Sequence, residues 1–71
     1  MDNIKYEIIV YWSNEDNCFI SEMPELPGSM SDGKTYEEAI ENIKQVAKMW
    51  IEVAAEEGRE IPEPKGKLYY A

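Results

Sequence analysis

A two-layer α+β fold, β-β-β-α-β with an antiparallel sheet against one long helix, is what this 71-residue sequence predicts. Three observations carry that prediction. Apolar residues alternate with period two near the amino terminus, the period lengthens to 3.6 from Thr35, and Gly, Pro, Asn and Asp cluster between the runs. The length sets a single domain over residues 1–71. It is close to the size below which one hydrophobic core no longer folds alone, so a homo-oligomer is expected.

The first predicted strand is Ile4 to Trp12, "IKYEIIVYW". Ile4, Tyr6, Ile8, Val10 and Trp12 fall on one face, which should be wholly buried, while Ile9 and Tyr11 make the end of the other face apolar. A face of that second kind suits a partner surface. "SNEDN", Ser13 to Asn17, has the self-bonding polar residues of a hairpin connection and lacks the ligand spacing and sharp-turn glycine of a calcium loop. Cys18 to Met23 returns as the second strand.

In "MPELPGSM", Pro24 and Pro27 fix φ and remove backbone donors, which ends that strand, and Gly28 permits the bend. Glu25 and Leu26 stand at the tip of the stiffened loop. Leu26 either meets a partner there or folds back on the core. Ser29 to Lys34 supplies a short third strand, with Asp32-Gly33 as a turn.

The helix is marked by Tyr36, Ala39, Ile40, Ile43, Val46, Ala47, Trp50, Val53 and Ala54, one apolar stripe at three- and four-residue spacings. Thr35 with Glu38 three residues on reads as a capping box, and Glu37 and Glu38 suit the positive end of the helix dipole. Gly58, with Pro62 beyond it, reads as the stop. Glu56 and Glu57 oppose the dipole at that end. After an extended "IPEPK", Lys67 to Tyr70 is the last predicted strand, laid along a sheet edge.

Composition narrows the function. Fifteen acids against seven bases give a net charge of −8, and only the stretch from Arg59 onward is slightly basic. Such a surface repels phosphates, so direct nucleic-acid binding is not expected, even though Tyr69 and Tyr70 lie near Lys65 and Lys67. The charge is ordinary solubilising charge or a complement to a basic protein. No run of eighteen apolar residues and no leader-like start occur, which predicts neither a membrane span nor a secretory signal and a cytoplasmic location.

Enzyme chemistry finds little to use. The chain has no histidine, so its one cysteine, Cys18, has neither a base to form its thiolate nor companions for a zinc site, and it reads as an inert thiol. The acids lie in turns and on solvent faces of the helix. In the first strand only Glu7, beside Lys5, stands where a carboxylate-dependent nuclease would need a cluster. Lys34 near the helix start lacks the glycine spacing of a phosphate loop. The sequence therefore predicts a non-catalytic protein with no catalytic residue, metal or cofactor.

The order and spacing of these motifs carry a resemblance. "MPELPGSMSDGKTYEEAIENIKQVAKMWIEVAAEEG" followed by "IPEP", after the strand "YEIIVYW", resembles the HicB-like antitoxin family, in the short form without a DNA-binding segment. Pro24, Leu26, Pro27, Gly28, Gly33, Thr35, Glu38, Ala39, Ile61, Pro62 and Pro64 fit its pattern; Ser29 stands where the family often has cysteine, and Lys34 replaces a usual aspartate. The resemblance implies a partial ribonuclease-H-like fold without catalytic carboxylates. It also implies binding and neutralisation of a small basic HicA-type toxin that cleaves mRNA, with no DNA autoregulation. The alternative is a stand-alone structural or regulatory homo-oligomer without a toxin. Candidate partner-binding residues are Glu22, Glu25 and Leu26.

Overall fold

The computed structural model describes residues 5–64. Three strands, β1 (Ile9–Ser13), β2 (Cys18–Glu22) and β3 (Met30–Gly33), precede one helix, α1 (Tyr36–Glu57). The sheet has the order β1-β2-β3, both pairings antiparallel. The observed β-β-β-α order is the predicted one. The fourth predicted strand, Lys67 to Tyr70, and residue Ile4 lie outside the described residues.

β1 begins at Ile9, five residues later than the alternation suggested. The cause lies in its neighbour. Ile9 pairs with Glu22, the last residue of β2, so any earlier residue would need Met23 or Pro24 as partner. Met23 instead donates its N–H to the Ser29 carbonyl at 3.2 Å, and Pro24 has no N–H to give. The loop then closes on itself. Leu26 N–H bonds to the Met23 carbonyl and Ser29 N–H to the Leu26 carbonyl, both at 3.0 Å, and Gly28 takes φ +83°, where a side chain would be strained.

α1 starts and stops on local chemistry. Thr35 Oγ1 accepts the Glu38 N–H at 3.0 Å. The reciprocal bond of the expected capping box is displaced by one residue: Glu38 Oε1 accepts from the N–H of Lys34, at 2.6 Å, rather than from that of Thr35. At the other end Gly58 adopts φ 73°. Its N–H reaches the Ala55 carbonyl and Arg59 N–H reaches Ala54 at 2.8 Å, the paired bonds of a Schellman motif.

The helix meets the sheet in two ways. Along its first turns the contact is made by small residues: Ser21 Oγ donates to the Ala39 carbonyl at 2.9 Å, and a Cβ added to Gly33 would lie 2.4 Å from the Ala39 nitrogen. Further along, large side chains take over. Tyr6, Met23, Leu26, Ile43 and Ala47 form the buried core, with Ile8, Val46, Trp50 and Ile51 packed against it. The core thus sits beyond the end of the short sheet, under the proline loop.

Cross-strand pairing assigns the two faces of the sheet. Residues directly opposite one another share a face. Val10, Trp12, Phe19, Ser21, Ser31 and Gly33 therefore look toward α1, and Ile9, Tyr11, Ser13, Cys18, Ile20, Glu22, Met30 and Asp32 look away. The helix lies chiefly over β3 and β2 and barely touches β1. For that reason the helix-side set is not wholly buried as expected: Trp12 remains 45% exposed, although its ring meets Phe19 edge-on at 5.1 Å. Tyr36 stacks on Phe19 at 4.2 Å yet is exposed, because it lies at the very start of the helix.

Candidate functional site

The face of the sheet turned away from α1 is the candidate site. Ile20, at its centre on β2, is buried by its strand neighbours but belongs to no part of the main core. Tyr11 on one side and Met30 on the other are exposed, 43% and 55%, and Ile9 completes an apolar strip across all three strands. Water-facing positions of an antiparallel sheet are ordinarily polar, so the exposed Tyr11 and Met30, flanking the buried Ile20 and half-buried Ile9, set this face apart.

The charged side chains of the three strands are two, Glu22 and Asp32, and both project from this open face. Glu22 stands between Ile9 and Met30 in the pairing. Its Oε2 accepts the Tyr11 hydroxyl at 3.1 Å. That bond, ahead of burial and the negative charges of Glu22 and Asp16, holds the Tyr11 hydroxyl above its ordinary pKa of 10.0, so it stays a neutral donor. The face presents hydrophobic area, one phenol and negative charge.

Of the residues predicted to bind a partner, Glu22 is on this face. Glu25 is half-buried in the loop beyond β2, where its Oε2 makes a long 3.5 Å contact with the Glu7 N–H. Leu26 is fully buried in the core, the inward of its two possible positions, and offers no surface to a partner. An apolar residue in a loop only four residues beyond the end of β2 is drawn to the nearest hydrophobic cluster, here Met23 and Ile43. Met30 was missed in the sequence, because a four-residue strand carries too short an alternation to reveal its outward side.

At the lower end of the same face Cys18 lies near Asp16 and Asp32. Burial first, then the charges of Asp32 and Asp16, push its thiol up from 9.0, so it is protonated at neutral pH and a poor nucleophile. The adjoining turn is closed by its own polar groups. Ser13 Oγ donates to Asp16 Oδ2 at 3.1 Å and accepts the Asp16 N–H at 3.2 Å, while Asn17 takes φ 56°. Among the described residues no three acids, cysteines or histidines converge as metal ligands, and no helix is long and apolar enough to cross a membrane.

The molecule is a small α+β domain whose sheet exposes an acidic, partly apolar face. Residues 6–68 match the family model described as the HicB_like antitoxin of bacterial toxin-antitoxin systems. The chain belongs to this HicB-like antitoxin family. Among curated proteins it is similar to the UPF0150 protein Ta0767 of Thermoplasma acidophilum, 36% identical over 59 residues, which cover 83% of this chain and 84% of the relative. It is also similar to the UPF0150 protein ssl0259 of Synechocystis, 29% identical over 65 residues, 92% of this chain and 88% of the relative. No solved structure matches the chain.

Proposed function

We propose that this chain is a non-catalytic antitoxin that binds and neutralises a small basic HicA-type toxin, laying its open sheet face against the toxin's RNA-binding surface. The observation that carries this reading is the charge on that face: its charged strand residues are both acids, Glu22 and Asp32, set around the apolar strip Ile9, Tyr11, Ile20 and Met30. A surface built to attract phosphate is basic, and an acidic apolar face complements it. Glu25, half-buried with its carboxylate toward the Glu7 N–H, and Leu26, buried in the core, contribute by holding the loop in shape.

The direct test is to look beside this chain's gene for a reading frame encoding a small basic HicA-type protein and to measure its binding by calorimetry, paired with an RNA-cleavage assay. Binding with loss of cleavage is expected, and the Glu22→Lys, Asp32→Lys double variant should weaken it by tenfold or more, the effect growing at low salt. No binding and undiminished cleavage with the unaltered chain would end the antitoxin reading. A second apolar patch, on the helix, favours the alternative of a stand-alone oligomer, for which a self-associating chain with no toxin neighbour would be the outcome.

A further inference from the structure

α1 leaves an apolar strip outside the core. Met49 is 62% exposed and Val53 43%, one turn apart on the same side of the helix. With Val46, Trp50, Ser29 and Arg59 they line a groove between the second half of α1 and the proline loop. The groove is held in shape from beneath: Trp50 Nε1 donates to the Pro27 carbonyl at 3.1 Å, and the Arg59 guanidinium lies 5.7 Å from the Trp50 ring centre. Of the described residues after the helix only Arg59 lines the groove, and the chain then runs to Pro62, whose carbonyl accepts the Tyr6 hydroxyl.

Charge identifies what fits there. Along this part of α1 the sign reverses, with Lys44 and Lys48 followed by Glu52, Glu56 and Glu57. A second helix of the same sequence, related by a two-fold axis between Met49 and Val53, runs antiparallel. It sets Met49 of one copy on Val53 of the other, and Lys48 of each beside Glu52 and Glu56 of the other. A parallel arrangement would stack Glu52 on Glu52 and Glu56 on Glu56. The open sheet face cannot pair with itself in this way, because its charged strand residues are both acids.

We infer that this groove docks a second copy of the chain, helix against antiparallel helix, leaving both open sheet faces free for another partner. The inference goes beyond the antitoxin reading and does not depend on it. For a 71-residue domain, burying Met49 and Val53 between copies adds apolar burial that its own core does not supply.

Sedimentation equilibrium of the full chain at micromolar concentrations tests it, with circular dichroism confirming that each variant is folded. The unaltered chain should be dimeric, and Met49→Lys should weaken the dimer about tenfold or more. Lys48→Glu and Glu52→Lys should each weaken it, and mixing the two single variants should restore association as a heterodimer, a rescue that the i,i+4 pair within one helix cannot produce. Glu22→Lys, on the open face, should leave the dimer unchanged. A monomeric unaltered chain, a dimer indifferent to Met49→Lys, a mixture of the two charge variants no better associated than either alone, or a dimer broken by Glu22→Lys would each overturn the inference, whatever the outcome with a toxin.

Discussion

The two halves of the helix face the rest of the molecule through opposite kinds of contact. Near its start, Ala39 rests directly against Gly33 and Ser21, with the Tyr36–Phe19 ring pair beside that close contact. Near its middle, Ile43 and Ala47 meet Met23, Leu26 and Tyr6 in a conventional apolar core. The difference teaches that a domain this small divides its work. Close approach of small residues orients the helix on the sheet, and a few large side chains at one end supply most of the hydrophobic stabilisation.

The contrast also explains where the surfaces fall. The helix lies on one side of β2 and β3, and among the described residues no second element covers the other side, where Tyr11 and Met30 are exposed. Because the loop closes over the other end, Met49 and Val53 are left on the helix's outer side. The charged strand residues of the open face are both acids, whereas the helix strip is flanked by both signs.

Breaking the two contacts should require opposite changes of size. Leu26→Ala empties a fully buried site and should cost about 3–4 kcal/mol. The domain's whole stability is on the order of 4–10 kcal/mol, so denaturant unfolding should show this variant barely folded. Gly33→Ala adds a single methyl and should still cost about 3 kcal/mol, since its Cβ would meet the Ala39 nitrogen at 2.4 Å and the Ala39 Cα at 2.9 Å. Ala39→Gly should not rescue it, because the atoms struck are backbone. Recovery in that double variant would show that the helix moves aside easily and that the contact does not orient it.

Smaller effects sharpen the comparison. Thr35→Ala removes the acceptor for Glu38 N–H and should cost about 1 kcal/mol by the same measurement, loosening only the orienting end. Ser29, 4% exposed and with its hydroxyl unpartnered among the described residues, sits where the loop joins the core. Ser29→Ala should raise stability by up to about 1 kcal/mol, since it removes a buried group that makes no bond. A loss of stability instead would mean that the hydroxyl has a partner.

At the core end Tyr6 introduces a pH dependence. Burial first, then the charge of Glu25, raises its pKa above the ordinary 10.0, and its hydroxyl donates to the Pro62 carbonyl. A phenol whose folded pKa is raised contributes stability fully present below the unfolded pKa and lost as pH rises through the folded one. Thermal melts should therefore fall in midpoint above about pH 10, more steeply for the native chain than for Tyr6→Phe. Equal slopes would remove Tyr6 from the account.

What was legible in the sequence, and what was not, divides along distance in the chain. The period of α1, its Thr35 cap and its Gly58 stop all depend on residues within about a turn of one another, and each stands where the pattern put it. The proline loop likewise ends β2 by removing donors locally. The point at which β1 begins was not legible, because it depends on the length of a neighbouring strand. Nor was Trp12's exposure, which depends on the helix lying over the other edge of the sheet.

The candidate site was only half visible for the same reason. Glu22, Ile9 and Tyr11 could be placed on outward positions from their alternation, whereas Met30 joins them only through its pairing with Glu22. By itself the sequence determined an acidic α+β domain, its helix and its turns, since composition and local hydrogen-bonding chemistry need no distant partner. Only the tertiary structure decided that Leu26 points inward and which sheet face stays open. Those follow from the landing of Ala39 on Gly33 and Ser21, a contact between residues far apart in the chain that no periodicity encodes.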